Sequence, residues 1–533
     1  MIEVDERDPM FGMWSPVVNR FLDCVRINTQ SCESETSPSS EGQWTLARLV
    51  KSELEAMGLK PHLSDTCILD CLIPATPGFN AAVVVTLSAH FDTAPDASGD
   101  VKPLIHRFDG KPIELPLADP ETGKKVVLFD DGKNREHRFG QRIITSSGDS
   151  LLGADCKAGL AGIMEAVARL LSDEEEHPHG PIELLFFPDE EQGIFNANML
   201  PDRHRDVLLT VDGGKPPIVD VGCFIGNKVT ATFESKGIKV SKDRVNTKMS
   251  LVFTGRSAHP GLDGGNLADA KYAASHFVRK VLDTKKLGFY IQIKSLSTVK
   301  SEVDIFFDKA CISVNLLKSF TREADALNVG LEYIISEYSG EKEFQVWPAL
   351  LAACYYVSAV HHNTVPPWRS KDKQSFCWVD SVKMENPEKV VVNSIPRTFD
   401  EEEAEQLVAL LCKLADDLKT NDHFSGLLEV LTNKKKYYRN IKYAIQAHPW
   451  VLEPLREAMA MFDMIMKEFD ARGGTDVGIA NMDLPDLPGP NMWNGAQNIH
   501  GTSEYIWMDH LELLPVILVE AMERYAMIKR SHL

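Results

Sequence analysis

The chain runs to 533 residues, 44% of them apolar and 25% charged, a length and composition that suit a globular protein of about two to four domains. A net charge of −20 argues against nonspecific nucleic-acid binding and against docking on an anionic membrane, and leaves cation binding open. The ten cysteines are scattered, without paired CxxC zinc spacing or a dense disulfide framework, so a reducing compartment is the simplest setting.

The N-terminal stretch MIEVDERDPMFGMW is acidic and has no apolar signal core, and no apolar run reaches the roughly 18 residues of a membrane helix. WSPVVNRFLDCVRI starts a helix. Ser15 is placed to cap it, Pro16 suits its first turn, and Val17, Val18, Phe21, Leu22 and Val25 recur at helical spacing. EGQWTLARLVKSELEAMGL is a second helix, stopped by Gly58. Three apolar runs follow, AAVVVTLSAH (81–90), IELLFFPDEE (182–191) and DVLLTVDGG (206–214). They are short, continuous, and β-branched or aromatic, as strands buried on both faces of a parallel sheet are. The helix KAGLAGIMEAVARLL lies between the first two, and the pattern predicts an α/β fold with a mostly parallel mixed sheet flanked by helices.

A second α/β region begins near residue 236. KMSLVFTG (248–255) and KVVVNSI (389–395) read as its strands, NLADAKYAASHFVRKVL and DEEEAEQLVALLCKLADDL as its helices. Residues 440–533 return to helices around ARGGTDVG and NIHGTSEY. A weak internal echo joins VNLLKSFTREADAL (314–327) to VNSIPRTFDEEEAEQL (392–407): a strand, a cation, a Phe and an acidic helix start. A cytoplasmic location is expected, with the C-terminal SHL resembling the tripeptides read by peroxisomal import receptors.

The three buried runs all end in acids or a histidine: His90 and Asp92, then Asp189, Glu190 and Glu191, then Asp212. Ligands of open α/β sheets bind beyond the carboxyl ends of the strands, so these groups converge on one crevice. Carboxylates so crowded repel unless a cation sits among them, and little Lys or Arg lies nearby in sequence. Singly, each signal has an ordinary alternative. A lone HxD is more often a chance pairing, an EE pair a solvated surface, Asp212 a turn residue and His500 a loop histidine. Together the logic tightens. Asp92 can fix the tautomer of a metal-bound His90, and one of two adjacent glutamates can ligate while the other stays free as a base. Asp155, in LLGADCKAG, would repel phosphate, and the glycines fit neither a Walker loop nor a dinucleotide fingerprint. Its two oxygens suit bridging two metal ions about 3.5–4 Å apart, and His500 supplies the remaining ligand.

The stretches SSEGQWTLARLVKSELEAMGL, HFDTAPDASG, LLGADCKAG, FFPDEEQG, TVDGG, HPG, PRTFD, RGGTD and NIHGTSE occur in this order and span nearly the whole chain. The ordered set resembles the peptidase T family of zinc tripeptide aminopeptidases, within the dizinc aminopeptidase and carboxypeptidase superfamily. The resemblance implies two Zn2+ per subunit, with Co2+ or Mn2+ also compatible with the donors. His90 and Asp212 bind one ion, Glu191 and His500 the other, and Asp155 bridges them. Asp92 orients His90, and Glu190 is the general base acting on the metal-bridging water. His259, in SAHPG, matches a histidine that stabilises the oxyanion. Arg397 and Arg472 match arginines that meet substrate carboxylate or carbonyl oxygens. The implied organisation is a catalytic domain over 1–235 and 439–533, interrupted by a lid or dimerisation-type domain over 236–438.

The family often carries a second acid after the bridging aspartate, where this chain has Cys156. The chain is also longer than a typical family member by about a hundred residues, an excess placed in the lid near 285–390. In dimeric relatives the lid histidine reaches the partner's site, and in some monomeric ones an enlarged lid replaces the partner. A homodimer is favoured over a monomer with a doubled lid, in which Lys318 would be the displaced copy of Arg397. The expected activity is removal of the N-terminal residue from tripeptides. The alternatives are a dipeptidase or N-acyl-amino-acid hydrolase of the same superfamily and, in a different class, a binding protein that has lost catalysis.

Overall fold

The computed structural model describes every residue except 1, 4–13, 35, 173–175, 194–199, 201, 242–244, 257–264, 266, 285–288, 311–312, 320–321, 323–327, 341–342, 371–373, 425 and 533. It divides into two compact units, the first formed by Met1–Cys223, Asn440–Ala471 and Thr475–Leu533, the second by Phe224–Arg439 and Arg472–Gly474.

The first unit is built on an eight-stranded sheet. Its spatial order is His62–Leu63, Leu69–Ile73, Ile182–Phe187, Val85–His90, Val207–Gly213, Asn491–Trp493, Ile218–Cys223 and Lys467–Ala471. The three apolar runs of the sequence are its adjacent central parallel strands. Val85–His90 and Ile182–Phe187 are buried at every position, which is why they carry no polar alternation. Helices Glu41–Ala56, Ala154–Ser172 and Met508–Ala526 share one core with these strands through Leu46, Val50, Leu160, Ile163, Leu514 and Ile517. Each such side chain contributes about 1.5–3 kcal/mol by leaving water. The first helix spans Pro16–Val25 as its spacing predicts, but Ser15 does not cap it with its side chain. The hydroxyl instead donates to Glu512 Oε1 at 2.8 Å, tying the helix to Met508–Ala526.

The second unit contains the same module twice. The outer module runs strand Ile225–Glu234, helix Pro348–Asn363, hairpin Phe376–Asn386 with Lys389–Thr398, helix Glu401–Asp416, strand Glu429–Tyr438. The inner module runs strand Thr247–Thr254, helix Ala270–Asp283, hairpin Phe289–Leu296 with Lys300–Phe307, helix Val314–Ser319, strand Gly330–Glu337. In both, the four strands lie in the order second, third, first, fourth, and every pairing is antiparallel. The whole inner module enters between the first strand and first helix of the outer one, through the ribbon Ile238–Ser241 with Glu343–Val346. The equivalent helices Ala270–Asp283 and Pro348–Asn363 pack on each other, with the Tyr272 and His361 rings 4.7 Å apart.

The echo seen in sequence therefore lies in a doubled module, but in the wrong register. Val314–Ser319 is helical, because the third-strand position of the inner module is already filled by Lys300–Phe307. Lys318 sits on that helix with its Nζ 5.2 Å from the Tyr333 ring centre, so it is not the copy of Arg397.

Candidate metal centre

Five candidate ligands arrive on separate segments of the first unit. His90 ends the strand Val85–His90 and Asp212 lies near the end of its parallel neighbour Val207–Gly213, so adjacent strand ends set them side by side. Asp155 opens the helix Ala154–Ser172. Two glycines of LLGADCKAG make that placement possible. Gly153 takes φ +76°, a left-handed turn into the helix. Gly159 faces the strand, where a Cβ would stand 1.9 Å from the Val211 carbonyl oxygen. Only a hydrogen lets the start of the helix touch the strand carrying Asp212. Glu190 and Glu191 follow the strand Ile182–Phe187 on a short 3-10 turn entered through Asp189 at φ 55°, and His500 sits in a loop at φ 63°.

Asp155 stands between the two histidines. His90 Nε2 is 3.4 Å from its Oδ1, and His500 Nε2 is 3.5 Å from its Oδ2. His90 Nε2 is also 3.5 Å from Asp212 Oδ1, and His500 Nε2 is 3.3 Å from Glu191 Oε2. These contacts define two three-residue sets sharing Asp155, His90–Asp155–Asp212 with Cys156 also in range and Asp155–Glu191–His500, and a further group of possible donors joins His90 to Glu190 and Glu191. Such separations match the edges of a tetrahedron drawn around a cation about 2.1 Å from each donor. Glu191 Oε1 and Asp212 Oδ1 are buried and meet no hydrogen-bond donor among the described residues. A mixed imidazole and carboxylate set with such oxygens fits divalent zinc, cobalt or manganese. Cys156 Sγ lies within reach of the first set, but its S–H donates to the Val211 carbonyl at 3.2 Å and burial pushes its pKa well above the ordinary thiol range.

Carboxylates outside both ligand sets hold the segments in place. Asp92 accepts from the backbone N–H of Glu190 at 3.0 Å and of Glu191 at 3.1 Å, and its Oδ1 lies 3.2 Å from His90 Nδ1. Asp189 accepts from Ser37 Oγ, Ser39 N, Ser39 Oγ and Gln43 Nε2, which bind the glutamate turn to the start of helix Glu41–Ala56. Glu504, four residues after His500, accepts from the backbone N–H groups of Leu152, Gly153 and Asp155.

The electrostatics follow from crowding. Burial, then Asp155, pushes Asp212 well above the ordinary carboxylate range. Burial, then Asp476, does the same to Glu190. Burial raises Glu191, with the His500 charge working the other way. Burial works against a charged His90, yet Asp212 and Asp155 outweigh it and raise its pKa, and Glu191 with Asp155 and Asp96 raises His500. Asp155 moves the other way: burial works against its charge, yet His500 and His90 outweigh it and hold its carboxyl well below the usual range, so the cluster keeps one carboxylate charged while the others gain by taking up positive charge. Asp476, buried beside Glu190, is pushed up to about 7, chiefly by burial.

The structure thus brings together His90, Asp92, Asp155, Glu190, Glu191, Asp212 and His500. His259 lies outside the described residues. Arg397 and Arg472 belong to the second unit. There Arg397 donates to the Asn227 carbonyl at 3.0 Å over the Tyr438 ring, and Arg472 donates to Ser370 Oγ at 2.9 Å beside the Phe224 and Phe376 rings. Sequence reasoning gave Asp476, Glu504 and Lys157 no role. All three lie inside quoted motifs, RGGTD, NIHGTSE and LLGADCKAG, and each is fully buried, a property no single sequence displays.

Peptidase family M20/M25/M40 matches residues 153–524 of the chain. The chain is 27% identical over 516 residues to a peptidase T of Halothermothrix orenii, covering 96% of this chain and 99% of that protein. A peptidase T of Clostridium novyi is also 27% identical, again over 96% and 99% of the two chains. Among solved structures, an aminoacylhistidine dipeptidase of Vibrio alginolyticus aligns with a TM-score of 0.62 at 18% identity, covering 97% of this chain and 99% of that one. A tripeptidase of Staphylococcus aureus aligns with a TM-score of 0.53 at 17% identity, over 96% and 98%. At such identities the structural likeness speaks for the fold, and the family match together with the full-length relatives speaks for descent. The chain belongs to peptidase family M20/M25/M40.

Proposed function

We propose that this peptidase is a metallo-exopeptidase holding two divalent cations, zinc foremost, and removing the N-terminal residue of tripeptides. The observation that carries the proposal is the sharing of Asp155 between the two ligand sets; Glu190, within donor range of His90 and Glu191, is the carboxylate that the resemblance leaves free as base. Cations held there supply Lewis-acid chemistry, acidifying water and polarising a carbonyl. The remaining work falls to the chain. Glu190, raised in proton affinity, takes a proton from the attacking water and passes it to the leaving amine. Asp92 holds both His90 and the glutamate turn, so base and ligands keep a fixed spacing. By resemblance, His259 meets the developing oxyanion, and Arg397 and Arg472 meet the polar end of the peptide.

Tripeptide choice rests on the peptidase T relatives, and a substrate panel tests it. Release of the N-terminal residue from Ala-Ala-Ala, with dipeptides and N-acyl amino acids untouched, supports the proposal. Turnover of dipeptides alone makes the enzyme a dipeptidase, and no turnover by metal-loaded protein makes it a binding protein. Glu190→Gln is expected to abolish turnover with cation binding intact. The sequence favours a homodimer slightly; against it we propose a monomer, because the second unit already contains two equivalent modules whose helices Ala270–Asp283 and Pro348–Asn363 pack together. Light scattering on eluted protein tests this against 59.4 kDa per chain. A dimer mass refutes it.

A further inference from the structure

Glu504 is a carboxylate the proposed chemistry does not use. It is 1% exposed, and its two oxygens are committed to one short segment. Oε2 accepts from the backbone N–H groups of Leu152 and Gly153, both at 2.8 Å, and Oε1 accepts from Asp155 N at 3.1 Å. Burial pushes its pKa up to about 7, with those three donors working the other way. The segment it grips is the turn that delivers Asp155. Glu504 itself stands four residues beyond His500, on the same loop. One short stretch of chain therefore supplies a ligand at 500 and, at 504, an anchor for the ligand opposite it.

The arrangement has a geometric consequence. His500 Nε2 faces Asp155 Oδ2 at 3.5 Å and Glu191 Oε2 at 3.3 Å. The spacing of His500 and Asp155 depends on two loops that are far apart in sequence, and the nearest ladder between their segments pairs Tyr505–Trp507 with residues 143–145. The Glu504 carboxylate links them through its hydrogen bonds to Leu152, Gly153 and Asp155. The first ligand set is supported differently: His90 and Asp212 sit on adjacent strands in register, Leu209↔Leu87 and Thr210↔Ser88. Asp155 belongs to both sets, so removing the Glu504 anchor should disturb both cation positions, and more strongly the one that also depends on His500.

We propose that Glu504 is a positioning residue that sets the spacing of Asp155 and His500, and so the affinity of the cation position bounded by Asp155, Glu191 and His500. The proposal rests on the two-cation reading given above. Glu504→Gln keeps the shape of the side chain. Its single carbonyl oxygen can still accept from Leu152 and Gly153, but its NH2 then faces the N–H of Asp155, donor against donor. Supporting groups of this kind are worth about 10–100-fold in metal affinity.

The test is a calorimetric titration of metal-free full-length protein with Co2+, for the wild type, Glu504→Gln, Glu504→Asp and Glu183→Gln. Glu183 is another buried carboxylate of the same unit, held by Arg205 and not a member of the cluster, and reports a merely structural loss. The expected result is two cations in the wild type and in Glu183→Gln with the same two affinities. Glu504→Gln should bind one cation about 10–100-fold more weakly and lose clearly less at the other. Glu504→Asp, which keeps the charge on a shorter arm, should fall between. Two unchanged affinities in both Glu504 variants, or equal losses at both positions, overturn the role of Glu504 while leaving two-cation binding intact. A wild type that binds no cation overturns the two-cation reading and this proposal with it. Should Glu504→Gln fail to fold, the affinity split in Glu504→Asp decides.

Discussion

Asp92 Oδ1 accepts a hydrogen bond from the backbone N–H of Glu190 at 3.0 Å. The same oxygen lies 3.2 Å from His90 Nδ1, so one carboxylate spans a ligand and the base. Asp92→Asn keeps the size of the side chain but replaces one acceptor by a donor facing N–H groups. We expect a fall of about 10–100-fold in cation affinity or in kcat/KM. Unchanged values on metal titration and kinetics would show that the backbone alone holds the glutamate turn.

Removing cations should cost stability, because the cluster is left with crowded carboxylates. A site saturated at a hundred times its Kd contributes about 2.7 kcal/mol to the folded state. Chelator-treated protein is therefore expected to unfold at a lower temperature, and re-addition of Zn2+ or Co2+ to restore the midpoint. Calorimetric scans that coincide with and without chelator would contradict cation binding at this cluster.

Gly159→Ala tests how the helix bearing Asp155 meets the strand bearing Asp212. The added methyl has the Val211 carbonyl oxygen at 1.9 Å, so helix and strand must separate. Overpacking of this kind costs about 1–3 kcal/mol. The same separation should weaken cation binding, since Asp155 and Asp212 share His90 as a neighbour. A denaturant midpoint equal to that of the wild type would mean that the contact relaxes without cost.

His361 makes the second unit sensitive to acid. Burial is the main cause that lowers its pKa, to about 3, with Lys271 adding to it and Asp269 opposing. An unfolded histidine titrates near 6.5. Between these two values the unfolded chain binds more protons than the folded one, so stability falls as pH drops below about 6.5, by up to about 1.4 kcal/mol per pH unit. The loss is complete once pH passes below about 3. His361→Phe keeps a ring against Tyr272 and removes the titration. Denaturant unfolding at pH 7 and pH 5 should show a difference about 2 kcal/mol smaller in this variant than in the wild type. An equal difference in both would assign the acid sensitivity elsewhere.

Much of this molecule was legible in one dimension. The three apolar runs became the central parallel strands because a strand covered on both faces must be apolar throughout, and that needs no partner to be read. The acids at their ends converge because parallel strands bring their carboxyl ends to one edge. Asp155 could be separated from a phosphate cradle by charge alone. The failures were of another kind. Val314–Ser319 looked like a strand because Val and Leu side chains fit one, and it became a helix because Lys300–Phe307 had taken the sheet position. Ser15 looked like a cap and found Glu512, 497 positions away.

What the sequence determined by itself was composition-driven: which segments must leave water, and which residues carry charge that needs an opposite charge. What only the tertiary structure decided was pairing at a distance: that Glu504 grips the backbone of Asp155, that Asp189 takes donors from Ser37, Ser39 and Gln43 at the start of helix Glu41–Ala56, and that one four-stranded module is threaded inside another. Burial tendency is a property of each side chain and is written locally. A hydrogen-bond partner or a sheet position is a property of two segments, fixed only when the chain has closed the loop between them.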